Sequence, residues 1–220
     1  MIATLVAQVD PGTGFAAAER TLEILGLSAF AISGAMLAVR KEFELVGVAA
    51  LALVTALGGG IIRDLVLGDT PPRAFEDPWY LVVPLIAAAV AFLGHAVIDR
   101  SLRRSVLVFD AIGLGLFAVT GAVKASAYET TAIGAVLLAV VTASGGGIVR
   151  DVLANDQPQI FHPDSRLYAI PATIGGTIIV IAERNDAYTG ALGVGVAAAV
   201  CAVRLGALRW GWRAPRPRQA

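Results

Sequence analysis

Apolar stretches without a single Asp, Glu, Lys or Arg recur along the chain at 24–39, 45–62, 78–98, 111–123, 130–149, 167–182 and 187–203. Short connectors between them hold most of the charges. Six of the seven stretches have 16 to 21 residues. About 20 residues rising ~1.5 Å each cross the ~30 Å hydrocarbon core of a bilayer, so each predicts a transmembrane helix. The fourth is shorter and spans only with its flanks, over 106–127. A β-barrel would show segments of about ten residues alternating apolar and polar positions, and these runs do not alternate. The pattern predicts an all-α membrane protein with seven transmembrane helices.

Composition agrees: 57% of the 220 residues are hydrophobic and 15% charged, with mean hydropathy +0.75. That excludes a water-facing enzyme core and a nucleic-acid-binding module. Net charge is +0, so its distribution informs more than its sum. On alternate sides of a seven-span chain, Lys and Arg divide 12 to 5, which puts the C-terminus in the cytoplasm and the N-terminus outside. The start, 1–21, has no basic residue before Arg20 and does not read as a cleaved signal peptide. The tail, 209–220, mixes Arg with Pro and reads as a cytoplasmic end. Cys201 is the single cysteine, so no internal disulfide forms.

Sliding the chain on itself by 87 residues aligns 22–84 with 109–171 without a gap, and 24 of the 63 positions are identical. The chain therefore divides into a first three-helix unit, 22–98, a second, 105–182, and a seventh helix, 187–208 outside the duplication. Three spans is an odd number, so the second copy enters the membrane from the opposite side: an inverted 3+3 repeat plus one. Gly190, Gly193 and Gly195 give the seventh helix a small-residue face for closing or oligomerising the unit.

The strongest internal match is the block from Thr55 to Asp64 with Thr142 to Asp151. Each copy contains a glycine triplet, Gly58, Gly59, Gly60 and Gly145, Gly146, Gly147, just past the middle of its span. Glycine costs a helix interior about 1 kcal/mol relative to Ala. Two readings account for the triplets: weak points opening backbone groups to a pore or substrate site, or close packing through small residues. Ser33 with Thr120 and Thr55 with Thr142 place paired hydroxyls near the same depth.

Arg63 and Asp64 follow the first triplet, and Arg150 and Asp151 the second. Charges at such depth need partners or water. Adjacent helical residues point about 100° apart, so each arginine is expected to find its partner on another span. The offset supplies one: Glu23 for Arg63 and, as its counterpart, Asp110 for Arg150. Such pairs lock the fold, or they line or gate a conduction path. Lys124, whose counterpart is Leu37, breaks the symmetry and reads as an interfacial anchor or as a gating charge. Trp79, Tyr80, Tyr168, Trp210 and Trp212 fall at span ends and read as interfacial anchors. His95, His162 and Cys201 lack ligand spacing, so no metal site, cofactor or catalytic constellation is expected.

The motifs TALGGGIIRDLVLGDTP and TASGGGIVRDVLANDQP, with DAIGLGLFAVTGAVKA, resemble the prokaryotic branch of the trimeric intracellular cation (TRIC) channels, also labelled in bacteria as putative glycine transporters. The resemblance implies a three-plus-three-plus-one helix plan, a homotrimer, and an hourglass pore in each protomer with the second and fifth helices kinked at their triplets. It also implies permeation of monovalent cations, chiefly K+. Lys41, Glu42 and Phe43 differ at the third place from the Lys-Glu-Val motif of eukaryotic members. The expected function is a K+ and Na+ channel in the inner membrane, surrounded by lipid and without nucleic-acid partners. The alternative is a secondary transporter of glycine or another small solute.

Overall fold

The computed structural model describes residues 14–98, 102–161 and 167–213. Eight α-helices occupy them: α1 (Gly14–Arg40), α2 (Leu45–Leu67), the one-turn α3 (Arg73–Glu76), α4 (Trp79–Ile98), α5 (Leu102–Ala127), α6 (Ala132–Leu153), α7 (Ala169–Arg184) and α8 (Gly190–Trp210). A 3-10 turn, Gln159–Phe161, lies between α6 and α7. Each of the seven apolar runs supplies the body of one long helix. Among the described residues five segments are long and apolar enough to cross a membrane: Glu19–Arg40, Leu45–Leu67, Arg104–Ala127, Ala132–Leu153 and Gly190–Trp210. The apolar part of α4, Trp79–Gly94, is shorter, and α7 has 16 residues. The chain is an all-helical, multi-pass membrane protein. Residues 1–13, His162, the tail 214–220 and the His95 side chain lie outside what is described.

Local chemistry sets several helix ends. The Thr131 and Thr189 hydroxyls accept from the Gly134 and Leu192 amides at 3.1 and 3.2 Å, capping α6 and α8. Gly68 and Gly211 end α2 and α8 in the left-handed region, at φ 72° and 74°, which a side chain would resist. Glu42 and Glu129, 87 residues apart, both have positive φ in the turns after α1 and α5.

α1 and α5 form the middle of the bundle, packed on each other. Around them, α2 and α4 lie on α1, while α6, α7 and α8 lie on α5. The contact between the two central helices is reciprocal: Gly26 faces the Phe117 ring, Gly113 faces Phe30, and the two rings stand 5.3 Å apart. Leu93, Ile133, Val46 and Val90 are exposed on the outside, as lipid-facing residues should be.

The glycine triplets do not break their helices. α2 runs without interruption through Gly58 to Gly60, and α6 through Gly145 to Gly147, so no freed carbonyls or amides appear there. The reason is that α2 and α6 touch backbone to backbone: a Cβ on Gly59 would overlap the Thr142 carbonyl oxygen, and one on Gly146 the Thr55 carbonyl oxygen. Packing this close offsets the low helix propensity of glycine.

Candidate functional site

The α2–α6 contact lies between two buried clusters of charge, each built around the Arg-Asp pair that follows a triplet. In the first, Arg63 reaches Glu23 of α1 at 3.1 Å and Asp64 at 2.8 Å. Arg73 of α3 approaches the other Glu23 oxygen at 3.4 Å, and the Tyr80 hydroxyl donates to that same oxygen. Lys124 of α5 completes the cluster, 2.7 Å from Asp64 and 2.6 Å from Asp69. Three carboxylates therefore face three cations. This cluster has an open edge: the Arg73 side chain is 51% exposed and Lys124 14%. Burial raises Asp69, but the Lys124 ammonium and the Tyr128 hydroxyl outweigh it and hold that carboxyl below its ordinary range. Tyr128 is pushed up to about 12 by burial and by Asp69.

The second cluster is closed. Arg150, 1% exposed, binds Asp110 of α5 at 2.8 Å and Asp151 at 2.8 Å, and also donates to the Ser33 hydroxyl at 2.6 Å. Ser33 in turn donates to the Val106 carbonyl at 2.9 Å. Asp151 accepts from the Gln159 amide at 3.2 Å. Outside this cluster, Arg40 and Lys41 at the end of α1 both bind Asp156, at 2.9 and 2.5 Å.

The cross-helix pairs Glu23–Arg63 and Asp110–Arg150, expected from the offset, are present. The expectation that Arg63 and Arg150 would not pair with the adjacent aspartates is corrected. Their long side chains fold back so that Nε of Arg63 and Arg150 donates to Asp64 and Asp151, while Nη2 of Arg63 reaches Glu23 of α1 and Nη1 of Arg150 reaches Asp110 of α5. The hydroxyls divide too. Thr55 and Thr142 donate to the carbonyls of Leu51 and Leu138 one turn back, at 2.5 and 2.6 Å. Ser33 belongs to the second cluster, whereas the Thr120 hydroxyl is buried with no partner. Of the glycines, Gly58 and Gly145 lie against the opposite helix, Gly60 has only the end of Arg63 within 4 Å, and Gly147 faces Asp110 and Tyr168.

Trp79, Trp210 and Trp212 are exposed at helix ends, but Tyr80 and Tyr168 are buried and serve the clusters instead of an interface. Arg204, counted from sequence among the flanking basic residues, is fully buried inside α8. Its guanidinium lies 4.7 Å over the Tyr168 ring and donates to the Leu167 carbonyl at 3.0 Å and the Gln159 side chain at 3.4 Å. The signal was available: Gly193, Val196, Ala197, Val200, Arg204 and Ala207 recur at helical spacing on the face that is buried. Among the described residues no group of three His, Cys, Asp or Glu side chains is placed to hold a metal ion.

A duplicated glycine contact flanked by buried charge clusters, inside a bundle of seven long helices, defines a class of multi-pass membrane protein. A family model described as glycine transporter matches twice, over residues 20–96 and 107–184, and the chain belongs to that family. It is 42% identical over 154 residues to a UPF0126 membrane protein of Deinococcus radiodurans, covering 70% of this chain and 71% of that one. To the UPF0126 inner membrane protein YadS of Escherichia coli K12 it is 36% identical over 199 residues, 88% of this chain and 93% of the relative. Its fold is similar to that of the TRIC trimeric intracellular cation channel orthologue from Rhodobacter sphaeroides. There the TM-score is 0.81 at 37% identity, covering 88% of this chain and 98% of that one. This agrees with the resemblance carried by the doubled triplet motif.

Proposed function

We propose that the protein is a cation channel, passing K+ and also Na+, that assembles as a homotrimer with one pathway in each protomer. The single observation that supports this most is the likeness to the TRIC orthologue over nearly the full length of both chains. In this reading seven helices cross the inner membrane, and 22–98 and 105–182 are two oppositely inserted copies followed by 187–208. The 12-to-5 charge asymmetry then sets the first cluster on the outer side and the second on the cytoplasmic side.

The pathway runs beside the α2–α6 contact, with Gly58, Gly59, Gly60, Gly145, Gly146 and Gly147 fixing its width and Ser33, Thr55, Thr120 and Thr142 near its waist. Glu23, Arg63, Asp64, Asp110, Arg150 and Asp151 hold the walls at either end. The first cluster, three carboxylates against three cations with an open edge, presents carboxylate oxygens to a passing cation without a net charge that would trap or repel it. Lys124 is the gate, because its ammonium stands at the open edge of its cluster and rests on two carboxylates it can leave.

Purified protein in planar bilayers with K+ on both sides tests this, and unitary current steps are the expected result. The family description favours a second reading, a carrier of glycine. Glycine uptake into proteoliposomes without current steps would establish it instead.

A further inference from the structure

The two clusters are built alike except at one place. In the first, Glu23 binds two guanidiniums, Arg63 on one oxygen and Arg73 on the other. The 87-residue offset puts Ile160 where the second cluster would need the counterpart of Arg73. Correspondingly the second oxygen of Asp110 is buried with no partner. Among the described residues of the duplicated part, Asp110 and Asp151 thus pair with Arg150 alone. Two buried carboxylates sharing one guanidinium are costly to keep ionised, so a second positive charge close by would stabilise the cluster.

We propose that Arg204, carried by α8 from outside the duplication, is that second cation and positions Gln159 and Leu167 beside the second cluster. Its guanidinium lies over the Tyr168 ring, and the Tyr168 hydroxyl and Asp110 both border Gly147. It also donates to the Gln159 side chain, and the Gln159 amide binds Asp151, so it reaches that carboxylate through one intermediate. Leu167 is held by α8 and by the second residue past its end on both of its backbone groups: its carbonyl accepts from Arg204, and its amide donates to the Trp212 carbonyl at 3.1 Å. α8 is therefore part of the charged centre, in the place that Arg73 fills on the other side.

The offset supplies a test that packing alone would not pass. In full-length protein in detergent, Arg204→Met is expected to lower the unfolding midpoint by roughly 10 °C. Ile160→Arg places a guanidinium at the position that the offset pairs with Arg73. The double variant Arg204→Met with Ile160→Arg should regain at least half of the loss. Arg204→Lys, which restores charge without the flat fork, should fall between wild type and Arg204→Met. A double variant no better than the sum of its single changes would overturn the proposal, as would Arg204→Lys no better than Arg204→Met. If Arg204→Met yields no folded protein, recovery of monodisperse protein in the double variant supports the proposal, and failure to recover it overturns the proposal.

Discussion

At the scale of single residues, the glycine triplets separate into positions with opposite tolerances. Alanine is the better helix former by about 1 kcal/mol, which taken alone predicts that every Gly→Ala change strengthens α2 or α6. At Gly59 and Gly146 the added methyl would enter the carbonyl oxygen of the facing helix, and backbone cannot step aside as a flexible side chain can. Overpacking of that kind costs about 1–3 kcal/mol and wins. Gly59→Ala and Gly146→Ala should therefore lower the detergent unfolding midpoint, while Gly60→Ala, with only the tip of Arg63 within 4 Å, should raise it slightly through helix propensity. Equal midpoints for Gly59→Ala and Gly60→Ala would show that the helices yield at this contact.

Lys124 makes a prediction of a different kind at the same scale. Its ammonium is a cation of the first cluster that the duplication does not repeat, since Leu37 stands at the counterpart position. Lys124→Ala leaves Asp64 with Arg63 and the Arg73 amide, but Asp69 loses its only ion-pair partner among the described residues. The cluster gains net negative charge at its exposed edge, which lowers the entry barrier for a cation. Unitary K+ conductance should rise, and Lys124→Arg should stay near wild type. An unchanged current-voltage relation for Lys124→Ala would remove it from the gate.

At the scale of helices, the hydrophobic pattern located all seven long elements because each apolar run is bounded by charges or turn residues, and the offset found the Glu23–Arg63 and Asp110–Arg150 pairs. It found them because a duplicated sequence reports which positions share an environment even when it does not report the environment. The same reasoning failed where the copies differ. Arg73 aligns with Ile160, and Tyr80 and Tyr168 are one place out of register, so their convergence on the two clusters left no trace in the alignment. Between the two readings of the triplets the sequence alone does not choose, because propensity belongs to one helix, whereas Gly59 and Gly146 answer to two.

The docking of α8 follows the same rule. Gly115 of α5 lets the α8 backbone approach, and a Cβ there would overlap the Ala197 carbonyl oxygen and crowd the Cys201 amide. Gly115→Ala should push α8 outward at that level. The half-buried Cys201 then serves as a built-in reporter, and its rate of reaction with a small maleimide in detergent should increase several-fold. An unchanged rate would mean that α5 and α8 adjust without separating.

At the scale of the whole molecule, the two units carry the same motif yet differ in how open they are: the first cluster reaches solvent through Arg73 and Asp69, and the second is buried, with Gln159 and Arg204 of α8 beside it. A pathway whose two ends are related by duplication but closed by different elements can respond differently from its two sides. This has meaning only if the units are inserted in opposite directions, and that is a measurable property of the chain. Glu76, beside the first cluster, and Gln157, beside the second, are both exposed and follow the second long helix of their units. In a Cys201→Ala background, Glu76→Cys should react with a membrane-impermeant maleimide added to intact spheroplasts. Gln157→Cys should react only after the membrane is permeabilised. Three spans per unit place the two sites on opposite faces, whereas an even number would place them on the same face. Labelling of both cysteines from outside would refute opposite insertion, and with it the assignment of one cluster to each side of the membrane.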